Sequence, residues 1–557
     1  MDLTRRGLLG RAVAASGALL GGSLLGPSVS FAGEDGEAVF EVAAPRGSQP
    51  VELQRTFELI GIRGAGDLRV EVRARGLDGR WSEWLPVHPA HDHGPDRRRA
   101  GGDAGPDDGG SGALSDPVWT GPARAFALRS NRSLRGARVV LVDSGRPAAA
   151  AASSRYVETG LRAGPGQPKV IARSAWATRA CRPRVPAVFG AVDLTFVHHT
   201  VSSNAYRASQ SAAMVRAICL FHKYGNRWND IGYNFVVDRY GQIFEGRAGG
   251  IDEAIVGAQA GGYNVYSSGV ALLGSFSAGG PPRRAFDALS KLLAWKLALH
   301  GIDLPGEVTV EVTSTGGPYS RYRPGTRVTL NRIAGHRDAD TTSCPGAGMY
   351  RQLPRLRQVV QRLAGTPCAL DLQTQAAAPG VLTLAGSLAK AGQAIAGATI
   401  EIQSRSTTRG ATPLGTAATD AGGAWSATVP LAAKAELRAV YRGDAAHPAV
   451  VSPGVVATVP PQIALSAASQ QGVPGVVIEF TGTVTPAKKR VTIAIAQLQP
   501  DGTFATIRTI TLKPDKSGSF TRAIGFAAAG QYQVVAQSAA DAANAAGASP
   551  VVPVTIA

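Results

Sequence analysis

Aromatic residues make up only 6% of this 557-residue chain, methionine occurs 3 times and cysteine 4 times. So few large rings argue against an extended helical core, and four cysteines in a chain of this size are too few for a disulfide scaffold. Beyond the N-terminus there is no uninterrupted apolar run long enough to span a bilayer. Acidic residues are also scarce: Asp+Glu total 40 against 58 Lys+Arg, a formal net charge of +18. That excess favours polyanionic partners. Nucleic acid is set aside, because the arginines are scattered and no helix-turn-helix, finger or aromatic-basic platform accompanies them. What the chain has instead is 68 glycines and 35 prolines, a balance suited to strand-and-turn modules. Its length exceeds one hydrophobic core, and four domains are expected.

The N-terminus has the form of an export signal. Arg5-Arg6 precede a Gly/Ala/Leu-rich stretch, and Ser30-Phe31-Ala32 form a small-x-small cleavage step. Residues 1–32 are read as a twin-arginine-type signal, with secretion to the cell wall and no transmembrane anchor after cleavage. Alternation in Leu68-Arg69-Val70-Glu71-Val72-Arg73 and in 137–142 predicts a β-sandwich over 37–146. His88, His91 and His93 fall in a polar insertion within it and are read as incidental, since nothing fixes their geometry for a metal. A linker is expected over 147–168.

From residue 169 to 365 strands and helices alternate, predicting a mixed α/β domain. Leu194 to His198 reads as a strand, Ser209 to Tyr224 as a helix, and Asn234 to Asp238 with Gln242 to Glu245 as a hairpin about Gly241. After Pro367 the chain repeats at an offset of 95 residues: Asp420-Ala421-Gly422-Gly423-Ala424-Trp425 recurs as Asp515-Lys516-Ser517-Gly518-Ser519-Phe520. Two immunoglobulin-like β-sandwiches, 369–460 and 461–557, are predicted.

Within the α/β region, His198 ends an apolar strand, and His336 and Cys344 bracket a polar turn containing Asp338, Asp340 and Thr342. Two imidazoles and a thiolate leaving one position open are the donor set of a catalytic zinc, with Asp338 or Asp340 as possible substitutes. Strand alternation puts His198 and His199 on opposite faces. It does not say which face carries the site.

These segments together resemble a known family. Phe196-Val197-His198-His199-Thr200, Trp228-Asn229-Asp230-Ile231-Gly232-Tyr233-Asn234-Phe235, Gly241-Gln242-Ile243-Phe244-Glu245-Gly246-Arg247, Gly335-His336-Arg337-Asp338 and Ser343-Cys344-Pro345-Gly346 look like the peptidoglycan recognition proteins and type-2 N-acetylmuramoyl-L-alanine amidases. The resemblance implies His198, His336 and Cys344 as zinc ligands, Tyr233 as the catalytic tyrosine, and Thr342 as an aid to the oxyanion. It also implies a Cys181–Cys219 disulfide. Arg247 is a candidate reader of a stem-peptide carboxylate, unless it pairs with Glu245, and His199 a second substrate contact. Some relatives place a glutamate in the strand matching 269–274, which is apolar here. Others follow Gly-Arg with Gly-Trp, where this chain has Ala248-Gly249-Gly250.

The activity implied is zinc-dependent cleavage between N-acetylmuramic acid and L-alanine by a monomer that binds peptidoglycan and anionic wall polymers. A binding-only protein and a wall-structural chain are the alternatives. A thiolate at Cys344 beside His336 has no purpose in a metal-free binder. His222 is read as helix packing, and Cys368 has no evident partner.

Overall fold

A computed structural model describes residues 28–64, 69–87, 114–145, 155–313 and 320–557. The paired arginines of the export signal and His88, His91 and His93 lie outside these residues. Among the described residues no helix is long and apolar enough to cross a membrane.

Strands β1 (Ser28–Ala32), β2 (Ala38–Ala43), β3 (Val51–Arg63), β4 (Val70–Gly76), β5 (Leu85–Val87), β6 (Val118–Ser130) and β7 (Arg138–Asp143) form one antiparallel sheet in the order β1-β2-β7-β3-β6-β4-β5. The expected sandwich is thus a single sheet among the described residues. One face encloses Phe57, Ile60, Phe126 and Leu141. The other presents Val39, Leu59, Trp119, Val140 and Val142, which join a cluster with residues of the next domain. That second face is closed by a helix rather than by a second sheet. The proposed cleavage step lies in β1, where Phe31 stacks on Tyr224 with ring centroids 3.8 Å apart.

The central domain is built on β8 (Tyr156–Val157), β9 (Val170–Ile171), β10 (Leu194–His199), β11 (Phe235–Val237), β12 (Ile243–Glu245), β13 (Ser267–Leu272) and β16 (Ile333–Gly335), in the order β16-β10-β13-β11-β12-β9-β8. Strands β16, β10, β13 and β11 run parallel. A separate hairpin joins β14 (Glu307–Glu311) and β15 (Arg327–Asn331). The segment expected as linker through residue 168 belongs to this fold from Arg155 onward. β8 pairs with β9, Leu161 and Ala163 are buried in the core, and Trp295 Nε1 donates to the Leu161 carbonyl at 3.0 Å. Short apolar strands need no long alternating pattern when both faces are covered.

Helix α1 (Ser211–Leu220), continued by a π-helical turn over Phe221–Gly225, covers one face of the sheet. α2 (Arg283–Leu299) and α4 (Leu353–Ala364), the latter just after the short α3 (Ala347–Tyr350), cover the other. α1 is apolar almost all round because it is clamped between the central sheet and the N-terminal sheet. Its one cation, Arg216, is 2% exposed and donates to the carbonyls of Ser144 (2.6 Å), Trp176 (3.0 Å) and Gly145 (3.1 Å), tying the two domains together.

After Cys368 come two all-β units, each with two sheets around its own core. Their repeat has a structural counterpart. Asp420 Oδ1 accepts from Gly422 N and Ala424 N, and Asp515 Oδ1 accepts from Ser517 N and Ser519 N. Trp425 packs over Gly386 as Phe520 packs over Gly482. The first unit also shares the central core, contributing Val440, Ala449 and Val451 to the cluster under α2. At this seam Arg405 bridges Glu253 (3.0 Å) and Glu436 (2.9 Å), while Arg438 bridges Asp252 (2.9 Å) and Glu253 (3.1 Å). Cys368 is buried in the core of this unit.

Candidate metal centre in the central domain

The site forms at the C-terminal ends of the parallel strands, where an open α/β sheet presents its side chains to a common recess. His198 is the penultimate residue of β10, and His336 follows β16 directly. Cys344 comes from the turn between His336 and α3. The pleat resolves the choice between the two histidines. Val197 and His199 face α2 and α4, and His199 Nδ1 accepts from the backbone N–H of Phe276 at 3.2 Å. His198 points to the opposite side, with the ring of Tyr233 5.4 Å and that of His336 4.6 Å away.

The donor atoms of His198, His336 and Cys344 all lie within 4.8 Å of one another and all three residues are buried. His198 Nδ1 is 3.6 Å from Cys344 Sγ, while its Nε2 meets Gln259 Oε1 at 2.6 Å. Gln259 is held in turn by Ser267, whose hydroxyl accepts from Gln259 Nε2 at 2.8 Å. His336 Nε2 meets Asp340 Oδ2 at 2.7 Å, both side chains being wholly buried. Each imidazole thus has one nitrogen engaged by an oriented side chain, and in His198 the other faces Cys344, the arrangement that fixes a metal-ligating histidine. Burial holds His336 down to about 3, keeping it neutral and able to donate a lone pair. The Cys344 thiol is pushed well up, chiefly by burial, so a thiolate there requires a cation. The donor set, its burial and its oriented outer shell fit zinc.

Asp338, one of the possible substitute ligands, is turned away. Its carboxylate accepts from Gly335 N and from the Tyr350 hydroxyl. Asp340 acts through His336. Gln259 is not signalled by spacing, because it reaches His198 from the loop before β13.

Tyr233 is 4% exposed, and its hydroxyl is driven well above its ordinary value by burial, with Cys344 and Asp116 adding to the effect. It stays a hydrogen-bond donor across the physiological range. The loop that carries it is packed from behind: His222 Nδ1 accepts from Gly232 N at 3.1 Å, and its ring lies 4.5 Å from that of Trp228. Gly246 has to be glycine, since a Cβ there would fall 2.3 Å from the Tyr233 carbonyl. Thr342 Oγ1 accepts from Cys344 N at 3.1 Å and so shapes the turn that presents the thiol.

Arg247 is 3% exposed and donates to the Ile231 carbonyl at 3.1 Å, and burial lowers it to about 9. Glu245 is engaged by the backbone N–H of Arg173 at 3.1 Å, and Arg173 pairs with Asp230 at 2.9 Å. Cys181 and Cys219 are joined by a disulfide, Cα–Cα 6.1 Å, which fastens α1 to the loop at 179–181.

Residues 189–347 match the family described as N-acetylmuramoyl-L-alanine amidase. The central domain belongs to the peptidoglycan recognition protein and amidase family. This amidase-family domain is 29% identical over 187 residues to a peptidoglycan-recognition protein of Drosophila simulans, covering 34% of this chain and 86% of that protein. It is 27% identical over 190 residues to a mouse N-acetylmuramoyl-L-alanine amidase, covering 31% of the latter. Among solved structures, wild-type Drosophila PGRP-LB matches at 26% identity over 33% of this chain and 91% of that one, with a TM-score of 0.26. The amidase LysC from Clostridium intestinale matches at 21% identity over 97% of its length, with a TM-score of 0.24.

Proposed function

We propose that the protein is a zinc-dependent N-acetylmuramoyl-L-alanine amidase that releases stem peptides from peptidoglycan. The observation that carries this reading is the convergence of His198, His336 and Cys344 donor atoms within 4.8 Å in a buried recess beside Tyr233. A zinc ion bound there would make a water nucleophilic near neutral pH and polarise the scissile carbonyl. The chain's own residues do the rest. Gln259 and Asp340 hold the imidazoles in one tautomer and one orientation. The Tyr233 hydroxyl, kept protonated by burial, donates to the carbonyl oxygen as negative charge develops on it. Thr342 holds Cys344 in place through its backbone N–H and thereby supports the oxyanion side of the site.

Arg247 and His199 are proposed as outer supports of the substrate cleft: Arg247 fixes the Ile231 carbonyl in the Tyr233 loop, and His199 fixes the loop at Phe276. The flanking all-β units are proposed as immunoglobulin-like modules. With the +18 charge of the chain they favour anionic wall polymers, in keeping with export and a wall location. Zinc content of the purified protein, together with mass spectrometry of peptidoglycan after digestion, tests the proposal. One zinc per chain and fragments with free L-alanine amino termini are expected. Binding of peptidoglycan with no peptide released is the outcome that rejects it in favour of a binding-only protein.

A further inference from the structure

Hydrolysis of an amide requires a group that takes a proton from the attacking water and returns one to the departing nitrogen. Among the described residues the central domain does not supply an obvious one. β13 (Ser-Ser-Gly-Val-Ala-Leu) carries no carboxylate, Asp340 is committed to His336, and Tyr233 is held protonated.

The N-terminal domain carries a carboxylate on a segment laid against the central domain beside the site. The segment 114–119, which leads into β6, is pinned over the central domain at both ends. On one side Ser115 N donates to the Ile62 carbonyl, Ser115 Oγ accepts from Ile62 N at 2.8 Å, and Leu114 abuts Gly225 at the end of the π-helical turn after α1. On the other, Trp119 N donates to Ser202 Oγ at 3.4 Å, in the loop that follows His199. Leu114 and Trp119 are buried in the same apolar cluster as Tyr233. Between these anchors Asp116 is half-buried, close enough for its charge to bear on both the Cys344 thiol and the Tyr233 hydroxyl.

We propose that Asp116, contributed by the N-terminal domain, is the general base and acid of the amidase reaction. The inference rests on the hydrolase reading above. As the water oxygen bonds to the carbonyl carbon, the water proton passes to the Asp116 carboxylate. The C–N bond then breaks, and the same proton goes to the nitrogen of the departing L-alanine. The N-terminal sheet is on this account part of the catalytic apparatus, and the site is incomplete without it.

The test uses the full chain and a soluble muramyl tripeptide. Asp116→Asn is expected to lower kcat by about a hundred-fold or more with KM little changed, while zinc content and tripeptide binding by the chelator-treated, metal-free protein stay as in the parent. Asp116→Ala is expected to regain turnover on addition of formate, a small carboxylate able to occupy the vacated space. Equal turnover in Asp116→Asn overturns the proposal. Faster turnover with tighter binding to the metal-free protein also overturns it, and marks Asp116 as a plug instead. Loss of activity accompanied by loss of zinc, without formate rescue, assigns it a purely structural role. If the parent itself releases no peptide, the hydrolase reading fails and the role of Asp116 falls with it. A parent that cleaves beside an Asp116→Asn variant that cleaves equally rejects Asp116 alone.

Discussion

Replacing Arg405 by methionine tests whether the first C-terminal unit is a fixed part of the catalytic body. Its guanidinium is 3% exposed, contacts Glu253 at 3.0 Å and Glu436 at 2.9 Å, and lies 4.1 Å from the centroid of Phe189. Removing one partner of a buried pair typically costs about 3–5 kcal/mol. Here Glu253 keeps Arg438 at 3.1 Å, so the electrostatic loss is reduced to about 2 kcal/mol, with up to about 1 kcal/mol more from the lost stacking on Phe189. With a urea m-value of about 3 kcal/mol/M, the midpoint of the transition that unfolds the central domain together with this unit should fall by about 1 M. Glu253→Gln alone should also destabilise. The double variant Arg405→Met/Glu253→Gln should recover about 1–2 kcal/mol relative to the sum of the singles, because neither charge is then left buried without its partner. Glu253 lies six residues after Arg247 in the same loop, so KM for muramyl peptides should rise in the single variants and partly return in the double. A midpoint shift below about 0.3 M, or strict additivity, would refute the assignment of this cluster as an interdomain clamp.

His198→Ala, His336→Ala and Cys344→Ala should each abolish peptide release and leave substoichiometric zinc by metal analysis, whereas Asp340→Asn and Gln259→Ala should retain activity but weaken zinc affinity by about 10–100-fold in chelator competition. Tyr233→Phe should keep zinc and the folded circular-dichroism spectrum while losing roughly a hundred-fold in turnover; unchanged turnover would reduce Tyr233 to a core aromatic. Lys296 supplies a pH signature. Burial lowers it to about 7, against the opposing pull of Asp252 and Glu253, and its amine donates to the carbonyls of Ile251 and Glu253. A group depressed in the fold is protonated more readily in the unfolded chain. It therefore contributes stability above its ordinary value near 10.5 that is lost as pH falls towards 7. Lys296→Met should remove a pH dependence on the order of 2–5 kcal/mol between those limits, read from urea unfolding at several pH values.

The grouping of His198, His336 and Cys344 is legible in the sequence because the two histidines sit at element ends, where a strand's apolar run stops and a polar turn begins. His198 closing Leu194 to Val197, and His336 following Ile333 to Gly335, are of this kind. Gln259, Asp340 as a partner of His336, and Asp116 are not legible in these roles. Each is placed by tertiary packing, and no local period or spacing encodes it. The N-terminal pattern reads as a sandwich, although the fold there is a single sheet, for a related reason. Val139-Val140-Leu141-Val142 is apolar on both faces, which announces that both will be covered but not by what. Residues 147–168 read as linker because Ala, Ser, Gly and Pro are frequent there, and in the stretch 159–168 only Leu161 and Ala163 enter the core.

The two-sided burial of α1 bears on how such proteins can be recombined. A helix whose outer face is sealed by the preceding sheet cannot be lifted out with its own domain and grafted elsewhere, since the graft would carry a raw apolar flank and the stranded cation Arg216. The first all-β unit imposes the same restriction from the other side. The seam that shares no apolar cluster lies between the two C-terminal units, where Asn544 donates to the carbonyls of Ala432 and Val459. Chimeras joined near residue 460 should therefore fold, whereas those cut at either edge of the central domain should aggregate.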